Sequence, residues 1–138
     1  MPAKPIQCVV ETAVYVDDLD SALRFYRDVL GLKYLESEPG RHVFFQVGSS
    51  DVLLVFRPEA TQKGDHLPAH GTRGPGHVAM GIAAADLEGW REHLRAHGVA
   101  IEHEEHWPRG GLSLYFRDPG GNSVELITPG VWGLPAGW

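Results

Sequence analysis

Glu11, His77 and Glu125 are the side chains of this sequence whose types and placement favour chemistry. Carboxylates and imidazoles move protons, and both bind metal ions. Glu11 and His77 begin two stretches, residues 11–31 and 77–98, that look like the same unit written twice, and Glu125 follows in the last strand of the second copy. The duplication places the three side chains in register on equivalent strands. We therefore expect the chemistry of this protein at these three residues.

Each copy has the pattern of a strand, a helix and three further strands. In residues 9–16, Glu11 shares one face of the first strand with Ala13 and Tyr15, whereas the more apolar face carries valines. Each helix is predicted to begin at an aspartate cap and to end at a glycine, which are Asp18 and Gly31 in the first copy and Asp86 and Gly98 in the second. The remaining strands are predicted at about residues 32–36, 42–47, 52–56, 101–105, 112–116 and 124–128.

Length and charge limit the function classes. The 138 residues have the size of one domain. Lys and Arg total 12 against 18 Asp and Glu, a net charge of -6, and no basic stripe is present for binding phosphate backbones. No apolar run approaches the roughly 20 residues that span a bilayer, and the N-terminus has no apolar signal core. We expect a cytoplasmic protein that binds neither nucleic acid nor membranes.

Two features lie outside the repeated pattern. Residues 58–76, between the copies, are rich in Gly, Pro and His, and we predict a loop-like connection that lets one copy swing across to its partner. The single Cys8 cannot form an internal disulfide, which fits a reducing compartment. We expect Cys8 to be a small, buried apolar residue.

Several short motifs accompany the duplication. Asp-Leu begins each helix, the first copy contains Phe25-Tyr26 and Leu30-Gly31-Leu32, and the second contains Asp118-Pro, Gly121-Asn122 and Glu125-Leu126. This combination resembles the vicinal oxygen chelate superfamily over residues 9–129. That superfamily includes glyoxalase I, bleomycin-resistance proteins, fosfomycin-resistance thiol transferases, methylmalonyl-CoA epimerase and extradiol dioxygenases.

The resemblance implies an α+β fold in which tandem βαβββ modules form open, curled mixed sheets around a cleft. A single domain then covers residues 1–138, divided into module one at about 8–58, a linker at about 59–76, module two at about 77–129 and a C-terminal tail at 130–138. Such proteins often build the cleft from modules of two chains. The resemblance therefore implies a homodimer.

A divalent metal ion at the first and last strands of the modules is also implied by the resemblance. The corresponding positions are Glu11, His77, Glu125 and Leu54, and leucine cannot bind a metal. Glyoxalase I and methylmalonyl-CoA epimerase commonly have a fourth ligand there, so Leu54 weighs against those two activities. Three ligands leave coordination positions for water and substrate, and this set suits Mn, Fe, Ni, Zn or Mg. Glu11 and Glu125 are also the candidate catalytic bases, as ligating glutamates are thought to be in glyoxalase I.

Substrate contacts are expected near this trio. Tyr115 precedes Glu125 at the spacing of a substrate-binding Tyr in the fosfomycin-resistance transferases. Arg109 lies in a Gly-rich loop, where its fixed charge suits a carboxylate or phosphonate. His42 aligns with Ser113 in the repeat, so both are expected to face the cavity. An apolar wall is predicted from Phe44, Phe56 and Trp107.

Two functional hypotheses follow. The first is a glyoxalase-like, metal-dependent enzyme that chelates vicinal oxygens of a small substrate, with lyase or isomerase, thiol-transferase and dioxygenase reactions all open. The alternative is a metal-free, dimeric protein that sequesters a drug or metabolite, as bleomycin-resistance proteins do. Such a protein would contribute to antibiotic resistance. Those relatives lack the ligand trio, so its presence here favours the enzyme.

Overall fold

The computed structural model describes residues 4–135 and residue 138. In this part of the chain the copies fold as the duplicated pattern predicts. The strands and α-helices are β1 Glu11–Tyr15, α1 Leu19–Arg24, β2 Lys33–Glu38, β3 His42–Val47, β4 Asp51–Phe56, α2 Pro58–Gln62, β5 His77–Gly81, α3 Leu87–Ala96, β6 His103–His106, β7 Leu112–Arg117 and β8 Ser123–Ile127. A π-helical turn, Phe25–Val29, extends α1, and a 3-10 turn, Ala84–Asp86, precedes α3.

Two open, four-stranded mixed sheets form the architecture, in the orders β1-β4-β3-β2 and β5-β8-β7-β6. Each sheet has one parallel pair, between its first and last strands, and two antiparallel pairs. Leu54 pairs with Ala13 in the first sheet, as Glu125 pairs with Ala79 in the second. The α+β fold with tandem βαβββ modules is thus confirmed, and Leu54 and Glu125 occupy equivalent positions.

The two modules share one apolar core on the helix-covered faces of the sheets. Tyr26, which is fully buried, packs against Phe45 of its own module, and its neighbour Phe25 packs against Phe116 of the other. The Tyr26 hydroxyl donates to Asp118 Oδ2 at 2.7 Å. Burial and the Asp118 charge raise the pKa of Tyr26, so this phenol stays a donor. This packing leaves the opposite faces of both sheets for the site.

We expect Asp118→Ala to destabilise the fold strongly. The buried Asp118 carboxylate also accepts from the backbone N–H groups of Gly120 and Asn122 and from the Asn122 amide. Leaving such buried donors unpaired costs about 1–3 kcal/mol each, so the free energy of unfolding should fall by more than about 3 kcal/mol. Urea unfolding followed by fluorescence measures the change. Tyr26→Phe, which removes one of these bonds, should cost about 1 kcal/mol, and equal losses in the two variants would contradict this account.

Three local expectations are corrected by the structure. The linker begins with the helix α2, because Pro58 occupies its first turn, where the fixed φ angle of proline favours a helix. Asp18 caps α1 as predicted, but the side chain of Asp86 makes no cap hydrogen bond, since its backbone already lies in the 3-10 turn. Cys8 is exposed, because it precedes β1 and lies outside the core. In the described residues, no helix has the length and apolarity to cross a membrane.

Candidate functional site

His77 and Glu125 form the centre of the candidate site. His77 is the first residue of β5 and Glu125 is the middle residue of β8, the strand that pairs with β5 in parallel. The two side chains approach each other on the sheet face opposite the core, with His77 Nε2 and Glu125 Oε1 3.2 Å apart. Glu125 is buried, with 5% of its surface exposed, whereas about half of the His77 side chain is exposed. The pair therefore has one sheltered and one accessible member.

The hydrogen bond at the other ring nitrogen determines what this pair can bind. His77 Nδ1 lies 3.0 Å from the carbonyl oxygen of Ser123, and a carbonyl only accepts, so Nδ1 carries the proton. In a neutral imidazole, Nε2 then presents a lone pair to the Glu125 carboxylate. Two acceptors at this distance repel each other unless a cation or a proton lies between them.

A divalent metal ion fits this arrangement. Imidazole nitrogens and carboxylate oxygens lie about 2.0 to 2.2 Å from zinc, which places two neighbouring ligand atoms roughly 3.0 to 3.5 Å apart at octahedral or tetrahedral angles. The observed separation of His77 Nε2 and Glu125 Oε1 matches that spacing. Metal-ligating histidines also characteristically donate their other N–H to a backbone carbonyl or carboxylate, as His77 does to Ser123.

Three further residues predicted from the sequence surround Glu125. Ser113 Oγ donates to Glu125 Oε2 at 2.5 Å, and the indole Nε1 of Trp107 donates to Ser113 Oγ at 2.8 Å. Ser113 is fully buried, so its hydroxyl is engaged with these two residues. Tyr115 is directly opposite Glu125 on β7, and its ring lies beside that of His77. Burial and the Glu125 charge raise the pKa of Tyr115, which keeps its phenol protonated at neutral pH.

Glu11 occupies the position in module one that His77 occupies in module two. It is the first residue of β1 and its side chain is exposed. Among residues 4–135 and 138, no group of three or more His, Cys, Asp or Glu side chains is placed to hold a metal ion. A single chain therefore brings His77 and Glu125 together but does not bring Glu11 to them.

The face of module one that carries Glu11 forms a cavity of about 500 Å³. His42 stacks on Phe44 with ring centroids 3.9 Å apart, and Phe44 meets Phe56 edge to face. His42 and Phe56 are largely buried, whereas Phe44 is half-buried. Leu54 contributes to the floor, and the segment after α2 closes one side. The predicted aromatic wall therefore lies in the same cavity as Glu11.

Glu36 and His70 also line this cavity. His42 Nε2 donates to Glu36 Oε1 at 3.0 Å, and Glu36 was not among the predicted site residues. The register of β2 shifts between Tyr34 and Glu36, so simple alternation does not reveal which side chains face the cavity. His70 of the linker lies 2.6 Å from the Tyr15 hydroxyl and packs edge-on against Phe56.

Arg109 lies apart from these contacts. It is exposed, and its Nη1 donates to the carbonyl oxygen of Trp132 at 3.5 Å. In this structure its guanidinium is thus turned toward the C-terminal tail.

Comparison with known proteins agrees with this architecture. A sequence model of the Glyoxalase/Bleomycin resistance protein/Dioxygenase superfamily matches residues 9–126. The lactoylglutathione lyase of Haemophilus influenzae is 30% identical over 125 residues, covering 86% of this chain and 90% of that protein. The metallothiol transferase FosB of Staphylococcus saprophyticus is 28% identical over 124 residues, covering 89% of this chain and 78% of that protein.

Solved structures give the same result. The crystal structure of a lactoylglutathione lyase from Agrobacterium tumefaciens superposes with a TM-score of 0.89 at 41% identity, covering 95% of this chain and 100% of the other. A glyoxalase/bleomycin resistance protein/dioxygenase from Nocardioides superposes with a TM-score of 0.73 at 21% identity, covering 100% of this chain and 91% of the other, and so shares the fold.

Proposed function

The chain belongs to the Glyoxalase/Bleomycin resistance protein/Dioxygenase superfamily, and on that premise we propose that it is a metal-dependent enzyme acting on a small substrate with two neighbouring oxygens. His77 and Glu125 are the ligands that one chain provides for a divalent cation. The observation that carries this proposal is the approach of His77 Nε2 to Glu125 Oε1 at 3.2 Å, with the proton of the imidazole fixed on the opposite nitrogen.

Glu11 is proposed as the third ligand, supplied by a second copy of the chain. It is exposed at the start of β1, an edge strand of its sheet. The residues just before it are apolar and open to solvent, with Ile6 94%, Val9 75% and Val10 59% exposed. An exposed apolar strip of this kind favours contact with another protein surface, and a symmetric dimer repeats every contact twice. Two equal sites then form, each with residues from both copies.

The three ligands have different parts in the proposed reaction. When bound, the cation polarises the two substrate oxygens as a Lewis acid. Glu125 is buried and hydrogen-bonded to Ser113, so it keeps its position throughout. Glu11 is exposed and is the better placed of the two glutamates to accept a proton from substrate. We therefore assign the general base to Glu11 and a fixed ligand role to Glu125.

Module one and Tyr115 are proposed to bind the rest of the substrate. The phenol of Tyr115, which burial and the Glu125 charge keep protonated, is proposed to donate to a ligand oxygen. Phe44 and Phe56, with His42 stacked beside them, provide an apolar wall in the cavity that also contains Glu11. A substrate with a polar chelating end and an apolar remainder suits these surroundings.

A lyase or isomerase reaction is the reaction class we favour, because lyases are among the similar proteins in both comparisons. Lactoylglutathione is accordingly the first compound to assay. Leu54 remains a departure from the four-ligand pattern of glyoxalase I, and FosB-like thiol transfer is the second candidate, because a metallothiol transferase is 28% identical over most of this chain.

Metal loading of the purified protein tests the proposal. Protein stripped with chelator should take up Mn, Fe, Ni or Zn in a stoichiometric amount, measured by elemental analysis. At a free metal concentration of about 100 times Kd, binding stabilises the folded state by about 2.7 kcal/mol, which raises the melting temperature by about 10 °C for a domain of this size.

The same experiment separates the alternative function. A metal-free protein that sequesters a drug or metabolite would take up less than stoichiometric metal and show no change in melting temperature after loading. That result would overturn the proposed enzyme, and the cavity of module one would then be the place to look for a bound small molecule.

A further inference from the structure

We propose that Trp107 and Ser113 are positioning residues that reserve one oxygen of Glu125 and leave the other for the cation. The inference rests on the proposed metal site and adds two residues to it. Trp107 Nε1 donates to Ser113 Oγ at 2.8 Å, and Ser113 Oγ donates to Glu125 Oε2 at 2.5 Å. Glu125 Oε1, the opposite oxygen, faces His77. The chain of hydrogen bonds thus ends on the oxygen that does not face the histidine.

The direction of this chain is fixed by the chemistry of its members. An indole N–H only donates, so Ser113 Oγ accepts from Trp107 and its single proton is free for Glu125. An ionised carboxylate only accepts, so the proton of Ser113 must point to Oε2. A hydroxyl that already accepts a hydrogen bond is also polarised as a donor, and the effect is stronger in a buried site. Ser113 is such a site, because none of its surface is exposed to solvent.

The backbone around Trp107 holds the indole in place. Trp107 N donates to the carbonyl oxygen of Gly111, and Gly110 N donates to the carbonyl oxygen of Trp107, which closes a tight turn. Gly111 adopts a φ of +88°, and a Cβ atom there would lie 2.7 Å from Val131 Cγ2. A side chain does not fit at Gly111, so this turn requires glycine there, and its backbone hydrogen bonds support the indole that reaches Ser113.

Module one provides an internal comparison. His42 is the counterpart of Ser113 and Leu54 is the counterpart of Glu125, as the pairing of the strands shows. His42 is hydrogen-bonded to Arg41, which immediately precedes its strand, and to Glu36 on the neighbouring strand. The serine and its indole donor therefore occur in the module that has the carboxylate, whereas the module that has leucine carries a different arrangement at the same position.

The consequence would be a carboxylate that holds the cation through Oε1, the oxygen that faces His77. Oε2 accepts from Ser113, so rotating the carboxylate to chelate through both oxygens would strain or break that hydrogen bond. Binding through one oxygen would leave more coordination positions for the two oxygens of the substrate. It also sets the orientation of the ligand, which is the usual contribution of residues that hydrogen-bond to metal ligands.

The test uses the purified full-length protein loaded with Co²⁺ or Zn²⁺ and the variants Ser113→Ala and Trp107→Phe. Loss of such supporting residues typically weakens metal affinity by about 10- to 100-fold, and we expect Ser113→Ala near the upper value and Trp107→Phe near the lower one. Titration calorimetry measures the affinities. In Ser113→Ala the visible absorption of bound Co²⁺ should fall in intensity, because chelation by both oxygens raises the coordination number.

Matched controls use residues outside the site. Trp90→Phe removes an indole N–H from α3, and Ser37→Ala removes a hydroxyl that pairs with Tyr34 in module one. Both should keep the affinity and the Co²⁺ spectrum of the parent protein. Ser113→Thr, which retains the hydroxyl, should recover much of the affinity lost in Ser113→Ala. If the parent binds metal and Ser113→Ala matches it in affinity and spectrum, the positioning role is wrong, whereas failure of the parent to bind metal overturns the proposed function itself.

Discussion

Glu125→Ala is expected to abolish metal binding while the protein remains folded and dimeric. Glu125 supplies the only carboxylate that the chain itself places beside His77 among its described residues. Loss of a ligand should exceed the roughly 100-fold loss of affinity seen when a supporting residue is removed. Elemental analysis after dialysis against Zn²⁺ and Mn²⁺ measures the retained metal, and gel filtration with light scattering measures the dimer.

Glu125→Gln is the matched variant for this experiment. Its amide oxygen still accepts from Ser113, so the buried hydroxyl keeps a partner, but the negative charge is lost. We expect Glu125→Gln to fold with nearly the stability of the parent and to bind metal weakly. Glu125→Ala leaves the Ser113 hydroxyl unpaired, at a cost of about 1–3 kcal/mol. Unfolding of both variants would show that Glu125 has a structural role, and full retention of metal in either would contradict the proposed ligand set.

Activity is expected to return when two inactive variants, Glu11→Ala and His77→Ala, are combined in one dimer. In the proposed homodimer, each variant alone would lack one ligand in both sites. In the mixed dimer, one site joins Glu11 of the first copy to His77 and Glu125 of the second, and the other site carries both defects. After random exchange of subunits, half of the dimers are mixed and each has one intact site, so about one quarter of the parent activity or metal content should be restored.

The control for this rescue is a mixture of His77→Ala and Glu125→Ala. Both residues lie on the same sheet of one chain, so every site in that mixture keeps one defect and no activity should return. Coexpression with two different tags isolates the mixed dimers, and metal content gives a readout that needs no substrate. Rescue in the control, or none in the first mixture, would contradict a site shared between two copies.

Much of the fold followed from local patterns. The alternation in β1, the cap at Asp18 and the glycine that follows the first helix are short-range signals, since a strand face or a helix end depends on residues a few positions apart. The duplication supplied the remaining order, because two copies of one unit must fold alike. Local signals failed where the backbone departs from the regular period, as at the register shift beside Glu36 and the 3-10 turn before α3.

For the candidate site, too, the sequence predicted some features and not others. The sequence identified Glu11, His77 and Glu125 by residue type and repeat position, and it placed leucine at position 54. It also named Ser113 and Trp107, but as substrate contacts. Hydroxyl and indole groups have many partners available in a sequence, and only their positions on neighbouring strands show which partner each one takes.

By itself, the sequence determined the tandem modules, the equivalence of Glu11 with His77 and the leucine at position 54 where Glu125 has its counterpart, because these depend on periodicity and residue type. The tertiary structure alone decided that His77 and Glu125 face each other at 3.2 Å, that Ser113 and Trp107 stand behind the carboxylate, and that Glu11 of the same chain does not join them. The physical reason is that pairing between strands and packing between modules set distances across the chain, and no local pattern encodes those distances.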